Sequence, residues 1–79
     1  MKKLNDYLNH QLQLVGNHAE AERRSRGRDK AFDYLNKAYD ELSGVITGAF
    51  VVEALTDEEA DKLQDWLADE IDKLFDAVA

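Results

Sequence analysis

The chain has 79 residues, 34% of them charged, with no Cys, no Pro and a formal net charge of −7. That length gives one domain with a modest core, the lack of Cys excludes disulfides and thiolate metal sites, and the lack of Pro suits long uninterrupted helices. The charge is unevenly divided, +2 over residues 1–40 and −9 over residues 41–79, a balance that repels nucleic acid in the second half and attracts basic surfaces.

The opening stretch, MKKLNDYLNHQLQL, has neither a continuous apolar run nor a small-residue cleavage site, so it reads as no signal peptide. No segment approaches the roughly 20 apolar residues of a membrane span, and the expectation is a soluble, cytoplasmic protein. Leu4, Leu8, Leu12, Val15 and Ala19, joined by Tyr7, recur on one helical face and predict a first helix over about 3–24. Val15-Gly16-Asn17 is a second place where it could stop, with Asn17 and Glu20 capping a new helix. Residues 20–30, EAERRSRGRDK, contain almost nothing to bury.

A second helix is predicted over about 29–54. Phe32, Leu35, Tyr39, Leu42, Ile46, Ala49 and Phe50 recur at about 3.6 residues, and Ala31, Ala38, Val45 and Val52 widen the stripe. Asp29 is its candidate N-cap. Gly44 and Gly48 either let a neighbour approach or mark a kink, and a rival pattern makes 45–52 a short hairpin turning at Gly48-Ala49. Glu53 either sits partly buried in a helix that runs on, or marks its end.

The third helix, over about 57–77, is the best marked. Thr56 and Glu59 have the spacing of a capping box, and Asp57, Glu58 and Glu59 favour the positive end of the helix dipole. Ala60, Leu63, Leu67, Ile71, Leu74 and Val78 form one stripe; Glu58, Asp61, Asp65, Asp69, Asp72 and Asp76 form the opposite one. The fold class is therefore all-α: a small three-helix bundle with a C-terminal αα-hairpin.

Little in the chain supports catalysis. His10 and His18 would lie about 80° apart around a helix and about 12 Å apart along it, too far to share a metal, and no nucleophile elbow, phosphate loop or HExxH is present. No catalytic residue, metal ligand or cofactor is assigned, since carboxylates strung along a rod do not form a calcium loop. The acidic ribbon has two readings. It is a solvated face that keeps a small protein soluble, trimmed by Glu58–Lys62 and Asp69–Lys73 pairs; or it is a line of charge, stepping about 5–6 Å along the axis, that occupies a basic groove built for phosphates. Trp66, about 100° from the centre of the apolar stripe, either closes the edge of the core or anchors a partner beside the ribbon. The opposite pole, Arg23, Arg24, Arg26 and Arg28, supports an alternative: a small nucleic-acid-binding regulator. It also supports a homodimer in which the basic pole of one copy meets the acidic helix of another.

In its size, its acidity, its lack of Cys and a helical hairpin entered through TDEEADKL, the chain resembles small proteins of phages and mobile elements, among them anti-CRISPR proteins and DNA mimics. The resemblance covers general character and carries over no residues. It implies a non-enzymatic inhibitor in a bacterial host cell, whose partner is a protein with a basic surface such as a host nuclease, with nucleic acid itself and the membrane not expected as partners.

Overall fold

The computed structural model describes residues 2–79. Among them are three helices and no strand: α1 Lys2–Arg26, α2 Arg28–Val51 and α3 Asp57–Val78. They pack up-down-up into a rod of 41 × 17 × 17 Å, about the length a 25-residue helix dictates at 1.5 Å per residue.

Helix α1 runs without a break through Gly16-Asn17 to Arg26. Gly16 is a close approach rather than a stop: a Cβ there would stand 3.1 Å from Leu74 Cδ2 of α3. The chain then reverses on one residue. Gly27, at φ 97° and ψ 172°, donates its N–H to Arg23 O and offers its own carbonyl to Ala31 N–H. It thus closes α1 and opens α2, in a backbone region essentially reserved for Gly. The expected N-cap, Asp29, instead lies inside the first turn of α2, which has no side-chain cap; the cap position falls on Gly27, two residues earlier.

Helix α2 is central and touches both neighbours. Residues 45–51 are helical, so the hairpin alternative does not form. The helix stops at Val51, not at about 54. Glu53 N–H bonds to Phe50 O at 2.9 Å and Ala54 N–H to Ala49 O at 2.8 Å, the paired bonds of a Schellman cap. Glu53, at φ 62°, holds the left-handed position of that cap and is exposed. Gly44 and Gly48 border open space rather than a neighbouring helix.

The core is built from the expected stripes. Leu8, Leu12, Val15 and Ala19 come from α1; Ala31, Leu35, Ala38, Leu42 and Ile46 from α2; Leu63, Leu67, Ile71 and Val78 from α3, with Leu55 closing the α2–α3 link. Burying a side chain such as Leu35 or Leu67 fully is worth about 1.5–3 kcal/mol. Phe32 and Phe75 meet at 5.3 Å between centroids at the edge of this core. The widening of the α2 stripe is narrower than expected: Val45 and Val52 are exposed, as are Phe50 and, on α1, Tyr7.

A polar clasp sets the register of the α2–α3 hairpin. Ser43 Oγ donates to Gln64 Oε1 at 2.8 Å, and Gln64 Nε2 donates to Ser43 O at 3.1 Å and to Thr47 Oγ1 at 3.4 Å. The start of α3 is held by the capping box: Thr56 Oγ1 accepts from Glu59 N–H at 3.1 Å, and Glu59 Oε1 accepts from Thr56 N–H at 2.9 Å.

Candidate acidic interface

The Thr56 cap fixes where α3 begins, and its apolar stripe fixes how the helix is turned. Its two flanks are then taken up by neighbours. Ala60, Gln64, Ala68 and Phe75 face α2; Leu63, Trp66, Glu70 and Leu74 face α1. The ribbon takes the outer side, with Asp61 and Asp72 at its edge lining the grooves against α2. Glu58, Asp61, Asp65, Asp69, Asp72 and Asp76 are all exposed, on a line about 27 Å long at 1.5 Å per residue.

The cations of α3 neutralise little of it. Lys62 Nζ pairs with Glu58 at 3.2 Å, as the spacing suggests. Lys73 does not pair with Asp69; it bonds Glu70 Oε1 at 3.3 Å, one turn back on the α1 side. Among the described residues, Asp61, Asp65, Asp69, Asp72 and Asp76 have no ion-pair partner. Like charges three and four apart on one helix repel by a few tenths of a kcal/mol per pair, so the ribbon opposes the helix that carries it.

Trp66 is half-buried and packs against the core. It lines a cleft with Asn5, Asn9 and Leu63 on the α1 side of α3, so its ring closes the edge of the bundle while the ribbon lies a quarter-turn away.

The basic cluster is largely engaged within the fold. Arg23 Nε donates to Val78 O at 2.9 Å. Arg24 pairs with Glu20 at 3.2 Å and Arg26 with Glu22 at 3.7 Å. Arg28 has no such partner among the described residues and starts α2 on the far side of the glycine corner.

The grooves among the described residues are open to solvent. One of about 440 Å³ lies between α1 and α2 and mixes Arg26, Lys30 and Lys37 with Glu22, Asp33 and Tyr34. At its rim the His18 ring stacks on Tyr34, 4.2 Å between centroids, and His18 Nε2 lies 3.5 Å from Glu22. Burial, then the Glu41 and Glu22 carboxylates, raise the Tyr34 phenol above its ordinary value. Among the described residues no three His, Asp or Glu side chains converge as metal ligands would, and no helix is long and apolar enough to cross a membrane. Compared with family models, curated proteins and solved structures, the chain shows no match.

Proposed function

We propose that this chain is a non-enzymatic interaction protein that lays the acidic face of α3 on a basic, nucleic-acid-binding surface of a larger protein. The observation that carries this reading is the run Asp61, Asp65, Asp69, Asp72 and Asp76: five exposed carboxylates in one line without an ion-pair partner among the described residues. A face needed only for solubility gains as much from dispersed charge of mixed sign. A groove that binds a phosphate backbone, by contrast, offers cations in a line, and long-range attraction speeds docking on it. The resemblance to phage-encoded inhibitors makes a host defence nuclease, such as a CRISPR effector, the partner class to test first.

The experiment compares the wild-type chain with a variant carrying Asp65→Lys, Asp69→Lys and Asp72→Lys, both immobilised and exposed to bacterial lysate. The expected result is a protein retained by the wild type alone, released by salt and displaced by added DNA or RNA. Equal retention by the two chains, with a flat salt response, would sink the reading.

A further inference from the structure

Two grooves lie along the seam between α2 and α3, beside the acidic ribbon. The first, about 280 Å³, sets Tyr39 of α2 and Phe75 of α3 around Asp72, over Ala68 and Ile71. The second, about 180 Å³, sets Phe50 of α2 beside Asp57 and Asp61 of α3, over Ala60. The two share one makeup: an aromatic ring, an apolar floor and a carboxylate at the rim. Neither lining contains a Lys or Arg, whereas the groove between α1 and α2 mixes both signs of charge. Among the described residues Asp57, Asp61 and Asp72 have no ion-pair partner.

The grooves are held in shape by the fold. Phe75 packs on Phe32 at 5.3 Å between centroids, and Tyr39 is half-buried against the core. The Ser43–Gln64 clasp lies between the two grooves and fixes α2 against α3 there. Asp61 and Asp72, eleven positions apart, are three turns apart on α3, about 16 Å along its axis.

A ligand that fills such a groove meets two demands. It must pair the carboxylate, which a neutral apolar group would leave dehydrated and unpartnered and an anion would repel. It must also cover the aromatic face. A guanidinium does both, because it is planar, stacks on a ring and matches a carboxylate with two parallel donors. The methylenes behind it lie on the apolar floor. A lysine ammonium is compact and strongly hydrated, and meets only the charge.

We infer that each groove is a socket for one arginine side chain of a basic partner, held by Tyr39, Phe75 and Asp72 in the first and by Phe50, Asp57 and Asp61 in the second. The inference rests on the acidic-face reading proposed above and sharpens it. The ribbon attracts any cation, while the sockets select arginine and set two of them about 16 Å apart.

N-acetyl-arginine methylamide and N-acetyl-lysine methylamide carry the same charge, so the pair separates a socket from charge alone. Each is titrated into the protein at constant ionic strength while the ring signals of Tyr39, Phe50 and Phe75 are followed by NMR. The expected result is saturating shifts at these rings, with the arginine compound binding about 2–5-fold tighter, the factor that a stacked cation supplies at an exposed site. Tyr39→Leu keeps every charge and should remove that preference in the first groove. Asp72→Asn, at an exposed position, should weaken the arginine compound there more than Asp69→Asn, which removes a ribbon charge that lines neither groove. Circular dichroism checks that each variant keeps its helices. Equal binding of the two compounds overturns the inference. So does equal loss in Asp69→Asn and Asp72→Asn, or a folded Tyr39→Leu variant that keeps the preference. The two readings fail separately. Lysate retention unmoved by reversing Asp65, Asp69 and Asp72 overturns the acidic-face reading even where the probes are selective. Retention that follows the ribbon charge, with unselective probes, overturns the sockets alone.

Discussion

Arg23 of α1 donates through Nε to the main-chain carbonyl of Val78, 2.9 Å away and 55 positions along the chain. Val78 is the last residue of α3, and its carbonyl is among those that a helix end leaves without an intrahelical partner. The guanidinium therefore brings a cation to the negative end of the α3 dipole and ties the ends of two parallel helices together. Arg23→Ala should cost about 1 kcal/mol, since the side chain is largely exposed and a charged hydrogen bond is discounted there. Urea denaturation should show the midpoint falling with the slope unchanged. Arg24→Ala, which removes only an exposed pair with Glu20, should move it much less.

Gly27 and Gly44 both border open space but differ in backbone conformation, and substitution should show it. Gly27 has open space around it, so any penalty for a side chain comes from its backbone at φ 97°. Gly27→Ala should destabilise by about 1–3 kcal/mol. Gly44 also borders open space but has ordinary helical geometry inside α2. Gly44→Ala should stabilise by about 0.5–1 kcal/mol, because the unfolded chain loses freedom and nothing is displaced. Thermal melts of the two variants should shift in opposite directions from the wild type.

What sequence could reveal here follows from how local the cause is. Helix α3 was legible to within a residue, because Thr56, Glu59 and the apolar stripe act within a turn or two of one another. The exposure of Glu58 through Asp76 was legible for the same reason: a residue opposite a buried stripe has nowhere else to go. Gly16 and Gly44 look alike in sequence, and only the position of Leu74, far along the chain, makes one a close approach and leaves the other free. Lys73 could reach Asp69 or Glu70 with similar ease, and the choice of Glu70 depends on how α3 is rotated against α1. The exposure of Val45 and Val52 was hidden by their composition, since both fit a core stripe equally well.

Glu53 holds the left-handed position of the α2 cap, at φ 62°, where a side chain costs about 1–2 kcal/mol relative to Gly. Its carboxylate makes no hydrogen bond or ion pair among the described residues that would offset this. Glu53→Gly should therefore stabilise the fold by about 0.5–1 kcal/mol, after the greater freedom of Gly in the unfolded chain is allowed for. The backbone bonds from Glu53 N–H and Ala54 N–H are retained in that variant. Glu53→Ala keeps the strain while removing the charge and should leave stability nearly unchanged, so the pair separates backbone from electrostatic causes in a chemical denaturation series.

Tyr34 links stability to alkaline pH. Burial is the first cause that raises its phenol above 10.0, followed by the carboxylates of Glu41 and Glu22. Arg26, Lys30 and Lys37 share its groove and oppose those carboxylates, yet the net direction is upward. A raised folded value means that the folded protein holds the phenolic proton more tightly than the unfolded chain does. Below pH 10 the phenol is neutral in both states and its contribution is complete. As pH rises above 10 the unfolded chain ionises first, and stability falls until the folded phenol also ionises. Ultraviolet difference titration should therefore show a phenol ionising above pH 10 that is absent from Tyr34→Phe, and that variant should lose less stability over the same window. Glu41→Gln should bring the phenol part of the way back, because it removes a charge but leaves the burial. A titration curve unmoved by Glu41→Gln would leave burial and the Glu22 carboxylate as the causes and place the Glu41 carboxylate away from the Tyr34 ring.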